Sequence, residues 1–120
     1  MHADVLRAIN VQINSEFTAW YQYLAMAAFC EREKFTGAAR WLKQQSLEEY
    51  QHGMKLFDFV LARNGIVELA SIDQPQREFE SFGEVFESAL KQEQQYARKE
   101  TDCNRLLPHE QRYQRWPGQR

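Results

Sequence analysis

The first 74 residues contain no proline; the three in the chain are Pro75, Pro108 and Pro117. A proline inside a helix removes a backbone hydrogen bond and clashes with the preceding turn. Its absence permits long, uninterrupted helices. Gly37, Gly65 and Gly83 stand at apparent element ends, and only Gly53 falls inside a helical pattern. Ile9, Ile13, Trp20, Leu24 and Ala27 recur at helical spacing and predict a first helix over about residues 4–34, with Asp4 as its N-cap and Thr36-Gly37 ending it. Ala38, Leu42, Leu56 and Val60 predict a second over about 38–64, closed by Asn64-Gly65. The link between them is a few residues, so they are antiparallel neighbours.

Residues 66–81 carry Pro75 and no helical period. Extended at roughly 3.3 Å per residue, this segment reaches about 50 Å, whereas a helix of about 26 residues is roughly 40 Å long. It can therefore cross the whole bundle and start a third helix parallel to the second, as in long-crossover bundles. Ser81-Phe82-Gly83-Glu84 reads as a capping box opening that helix, over about 82–102. Phe82, Phe86, Ala89, Leu90 and Ala97 are its expected apolar face. The predicted fold class is all-α: one helical domain over residues 1–102, then an atypical tail over 103–120. The tail carries +3 (four Arg less Glu110), against −5 for residues 1–104 (11 basic less 16 acidic).

The chemistry shows where acidic residues interrupt these stripes. At about 100° per residue, Glu16 lies three past Ile13 and four before Trp20, on the inward face, with Tyr23 seven later. Glu49 is seven past Leu42 and seven before Leu56, and His52 follows one turn on. Glu93 is seven past Phe86 and four before Ala97. Taken singly, each has an ordinary explanation. A lone Glu-x-x-His occurs by chance, a lone inward Glu is often a stripe edge, and Tyr23 could be a core tyrosine with a satisfied hydroxyl. Glu48, nearer the stripe's border, is expected in solvent, as are His2 and His109. Trp20 and Trp41 are expected to be packing residues. Jointly, three buried carboxylates would repel severely unless a multivalent cation sat among them. Carboxylate oxygens with one imidazole suit Fe, Mn or Zn better than Ca or Mg.

The wider composition excludes several classes. A net charge of −2 argues against a general nucleic-acid binder. No apolar run approaches a membrane span, and no signal peptide is evident. Two cysteines 73 residues apart form no disulfide scaffold or zinc knuckle and fit a reducing cytoplasm, with Cys30 as a small buried hydrophobe.

Over residues 4–100 the chain resembles the bacterial non-haem ferritins. The resemblance is carried by Asn14-Ser15-Glu16-Phe17 with Tyr23-Leu24-Ala25-Met26, by Glu48-Glu49-Tyr50-Gln51-His52, by the crossover from Val67 to Pro75, and by Val85-Phe86-Glu87-Ser88-Ala89-Leu90 leading to Glu93-Gln94. It implies Glu16, Glu49 and His52 as ligands of a first iron, Glu49 bridging to a second, and Glu93 as a further ligand of that second iron. Tyr23 would be the tyrosine beside the centre, hydrogen-bonding or donating an electron. The implied activity is oxidation of Fe(II) by O2 or peroxide and iron storage in a hollow homo-oligomer, with Zn or Mn as possible substitutes for Fe. A single Glu-x-x-His favours ferritin over bacterioferritin or rubrerythrin. The family's fourth helix has no counterpart here, and residues 103–120 resemble none of it. The expectation is a truncated or frameshifted ferritin, with an open groove that seeks a partner. Two other readings stand beside the ferroxidase: a catalytically impaired assembly module, and a different di-metal oxidoreductase.

Overall fold

The computed structural model describes residues 1–108. They form α1 (Ala3–Arg32), α2 (Thr36–Ala62) and α3 (Phe82–Asn104), with no strand among the described residues. The all-α class and the three helices agree with the sequence reading; the ends differ. His2, not Asp4, caps α1: its Nδ1 accepts the Asp4 amide at 3.2 Å. Asp4 instead stands in the first turn, where a carboxylate favours the positive end of the helix dipole. Lys34 takes a left-handed conformation (φ 70°), and the Phe35 amide reaches back to the Cys30 carbonyl at 2.8 Å. That closure ends α1 early, so Thr36-Gly37 begins α2 rather than ending α1. Asn64 (φ 59°) repeats the device at the end of α2, with the Gly65 amide on the Val60 carbonyl at 2.9 Å. Ser81 caps α3 as expected, its Oγ accepting the Glu84 amide at 3.2 Å. The Glu84 carboxylate reaches back to the Glu80 amide, at 3.4 Å.

The helices run in the predicted directions. Phe17 stacks on Tyr50, while Leu6 lies beside Gly65, so α1 and α2 are antiparallel. Phe35 meets Phe82 and Tyr23 meets Glu93, while Ile9 and Ile13 share a cluster with Cys103, so α3 is also antiparallel to α1 and parallel to α2. The crossover is tied at both ends of α1. The Asn10 side chain donates to the Ile66 carbonyl (3.0 Å) and accepts from the Glu68 amide (2.8 Å). At the far end Arg32 forks onto both oxygens of Glu78 (3.0 and 2.8 Å), and buried Phe79 packs on Phe29. The segment thus spans the length of α1.

Two apolar clusters form the core. One gathers Tyr23, Met26, Phe29, Cys30, Leu42 and Val85; the other gathers Ile9, Ile13, Leu56, Val60, Cys103 and Leu107. Cys103 and Leu107 therefore belong to the core although they lie beyond residue 102. The inward face of α3 is rotated from the expected one. Val85, Ala89, Gln92, Glu93, Tyr96, Glu100 and Cys103 are buried, whereas Phe86 is 60% and Leu90 48% exposed. The backbone of α3 lies closer to α1 than to α2, which it meets through side chains: Val85 shares a cluster with Leu42, Cys103 with Leu56 and Val60, and Glu100 reaches His52. Phe82, Phe86 and Leu90 instead line an apolar cleft with Ala38 and Trp41 of α2.

Gly53, an unfavourable residue inside a helix by about 1 kcal/mol, is required by packing. A Cβ there would lie 2.5 Å from Cε1 of Phe17, whose ring is held between Trp20 and Tyr50. Overpacking of this kind costs roughly 1–3 kcal/mol, more than the helix gains. Gly53→Ala should therefore lower stability by about 1 kcal/mol in denaturant unfolding; a stabilised variant would contradict the packing account.

Candidate metal centre

Between the two apolar clusters lies a layer of acid groups. Glu16 is fully buried at mid-α1, with Gln12 Nε2 one turn earlier donating to its Oε2 at 3.2 Å. Glu49 (3% exposed) and His52 occupy successive turns of α2. The i, i+3 spacing brings both side chains to the α1-facing side. The imidazole Nδ1 of His52 lies 3.8 Å from Glu49 Oε2 and 3.9 Å from Glu16 Oε1. A third carboxylate joins them: Glu100 Oε2 stands 3.0 Å from the same Nδ1. One ligand atom from each of Glu16, Glu49, His52 and Glu100 falls within 4.8 Å of all the others.

The structure thus gathers three of the four predicted metal residues and adds one that sequence reasoning missed. Glu93 is buried as expected but stands outside the group; its Oε2 accepts a hydrogen bond from the Tyr23 hydroxyl at 3.1 Å. Tyr23 is fully buried and so is adjacent to the acid layer through Glu93. Glu100 had a signal, since it lies seven residues, or two helical turns, beyond Glu93. The polar run from Arg98 to Asp102 concealed it; the other four residues of that run are exposed. Glu48 is also buried (5% exposed), contrary to its expected solvent position, and burial pushes its carboxyl above the ordinary range. His2 is exposed and serves the α1 cap, whereas His109 lies outside the described residues. Trp20 packs among Phe17, Tyr21 and Tyr50, as a packing residue should.

The electrostatics are those of a site built around positive charge. Burial alone would lower the His52 pKa, but hydrogen bonds and charge from Glu100 and Glu49 outweigh it and raise it to about 9. Burial works to raise Glu49; the attraction of His52, 3.8 Å from its Oε2, and its interactions with the neighbouring acid groups win, and the net direction is down. Tyr96, whose hydroxyl donates to Gln22 Oε1 at 3.1 Å, is pushed up to about 12 by burial and by the charges of Glu49 and Glu16. In the metal-free protein the imidazolium is the counter-charge to the carboxylates.

The chain has known relatives in sequence and in fold. A sequence profile of the ferritin-like domain matches residues 6–113, reaching well past residue 102, where family likeness was expected to end. The chain belongs to the ferritin-like family. It is 36% identical over 110 residues to the bacterial non-heme ferritin of Staphylococcus haemolyticus and 33% identical over 110 residues to that of Staphylococcus aureus. Each alignment covers 92% of this chain and 66% of the relative, so the chain spans just under two thirds of their length. Among solved structures it superposes on an open pore ferritin from the hyperthermophilic archaeon Archaeoglobus fulgidus, with a TM-score of 0.80 and 31% identity, covering 88% of this chain and 65% of that one. A humanized archaeal ferritin gives 0.81 and 32%, covering 88% and 64%.

The residues fit a cation. Glu49 Oε2 is fully buried and accepts no hydrogen bond. A buried carboxylate oxygen in that state costs free energy unless something positive approaches it. Three carboxylates and a neutral imidazole carry −3, which a divalent ion reduces to −1 and a trivalent ion cancels.

A pH dependence follows. The folded-state pKa of His52, about 9, lies above its ordinary 6.5, so protonation favours folding. That contribution is complete below about pH 6.5 and is lost as pH rises through about 9. Glu49, lowered, contributes a constant amount over this window. Metal-free protein should therefore melt at progressively lower temperature from about pH 6.5 to 8.5, and His52→Gln should flatten the profile; a flat wild-type profile would contradict the ion cluster.

Proposed function

We propose that this chain binds iron and oxidises Fe(II) to Fe(III) as a ferritin-type ferroxidase and iron-storage subunit. The observation that carries the reading is the convergence of Glu16, Glu49 and His52, from two antiparallel helices, on one buried point. Iron is the substrate here. Each Fe(II) gives up one electron; two electrons and two protons reduce O2 to H2O2, or H2O2 to two waters. Glu16, Glu49 and His52 hold the first ion. The accumulated negative charge favours the trivalent product over the divalent substrate, because oxygen donors suit a hard cation. Loss of the proton from His52 Nδ1 frees that nitrogen for metal, so binding releases a proton.

The family pattern would have Glu49 shared with a second ion, for which Glu93, buried on α3, would be a further carboxylate. Tyr23 holds Glu93 in place through its hydroxyl and is the buried redox-active side chain beside the centre. Both cysteines are free and buried, and no helix among the described residues is long and apolar enough to cross a membrane. A cytoplasmic setting, where Fe(II) is the form to be handled, suits these properties.

The second reading, an assembly module with a weakened second site, draws on one observation. Glu93 points to Tyr23 rather than joining the four convergent groups. Mixing the protein with Fe(II) in air separates the two. A ferroxidase gives a fast rise of ferric-oxo absorbance in the near ultraviolet, abolished by Glu49→Ala; growth no faster than in buffer would rule it out and leave the module.

Self-association is the expected fate of the cleft lined by Trp41, Phe82, Phe86 and Leu90, since exposed apolar patches of this kind mark contact surfaces. Sedimentation at micromolar concentration should show a homo-oligomer that Phe86→Glu weakens. A stable wild-type monomer would count against this assignment.

A further inference from the structure

Glu100 has no place in the ligand pattern that the family resemblance supplies, yet it makes the shortest contact in the centre. We propose that Glu100 is an in-chain metal ligand, closing the site of Glu16, Glu49 and His52 into a four-donor pocket built from three helices alone. The inference rests on the reading of those three residues as a metal site and adds to it.

Three observations carry it. Glu100 is the one residue of the run 98–102 turned inward, and it is 3% exposed. A glutamate on the solvated end of a helix has no reason to be buried among two other carboxylates unless a positive charge is there to receive it. Secondly, the nitrogen it meets is decisive. A residue that merely orients a metal-binding histidine takes the ring nitrogen opposite the metal. Glu100 Oε2 instead stands at Nδ1, the same nitrogen that faces Glu49 and Glu16, at 3.0 Å against 3.8 and 3.9 Å. It therefore shares the side of the ring on which the ion would sit. Thirdly, the four donor atoms lie within 4.8 Å of one another. Tetrahedral donors at about 2.1 Å from an ion are about 3.4 Å apart, so a contraction of side chains, without helix movement, suffices. The fully buried Glu49 Oε2, which accepts no hydrogen bond, faces into the same space.

The pocket's chemistry selects a first-row transition ion: one imidazole and three carboxylates suit Fe(II), Co(II), Mn(II) or Zn(II). Co(II) is the useful probe, because its visible spectrum reports coordination. The full chain, stripped of metal, is titrated with Co(II) and followed by calorimetry and absorption, alongside Glu100→Gln, Glu100→His and Glu49→Gln. We expect Glu100→Gln to weaken binding at least tenfold and to change the intensity and position of the visible bands. Its metal-free melting temperature should fall at neutral pH, since the 3.0 Å pair with His52 is lost, while its far-ultraviolet circular dichroism keeps the helical signal of the wild type. Glu100→His, which returns a donor, should restore binding with bands shifted toward a nitrogen-richer site. Wild-type affinity and spectrum in Glu100→Gln, with binding lost in Glu49→Gln, would overturn the role of Glu100 while leaving the metal site standing. Failure of Glu100→His to recover what Glu100→Gln loses would also overturn it, as that pattern belongs to a structural residue. No Co(II) binding by the wild type would overturn both the site and the proposal.

Discussion

Negative charge buried at the middle of the molecule is the constraint on which the rest depends. Glu16, Glu49 and Glu100 approach one imidazole nitrogen from three different helices, and all are removed from water. Such a group cannot persist without a compensating cation. Without metal, protonated His52 fills that role; with metal, the ion replaces the proton. The two apolar clusters above and below the acid layer supply the burial that keeps α1, α2 and α3 together against this repulsion. Structure and chemistry thus pull in opposite directions, and the cation reconciles them.

Helix direction is what brings the three acids to one level. A short link makes α1 and α2 antiparallel, which alone would align Glu16 with Glu49 and His52. Placing an acid of α3 at the same height requires the chain to return along the full length of α1 before α3 begins. Asn10 pins the start of that return and the Arg32–Glu78 fork pins its end. These contacts are exposed and individually weak, but they select the path, and Phe79 on Phe29 anchors it in the core. The crossover is therefore part of the metal site's construction.

The topology was legible in the sequence because it follows from simple lengths: proline-free helices, one short link and one segment long enough to cross. Glu16, Glu49 and His52 were legible because they break strong apolar stripes at the centre. The face of α3 was not, for a physical reason. Its large apolar residues, Phe86 and Leu90, face the cleft, while the side packed on α1 is made of Gln92, Glu93, Tyr96 and Glu100. A pattern search that equates apolar with inward chooses the wrong side of such a helix, and it hid Glu100. Glu48, at the border of the stripe, is buried all the same, which periodicity along one helix does not reveal. Gly53 was legible only as a cost; the Phe17 ring that explains it belongs to another helix.

The central claim is that these three helices by themselves converge on a cation. Anomalous diffraction from crystals grown with Zn(II) or Co(II) tests it most directly. The account predicts a strong peak within bonding distance of His52 Nδ1 and of carboxylate oxygens from Glu16 and Glu49. Crystals that hold metal only elsewhere, with His52 still hydrogen-bonded among unliganded carboxylates, would contradict it.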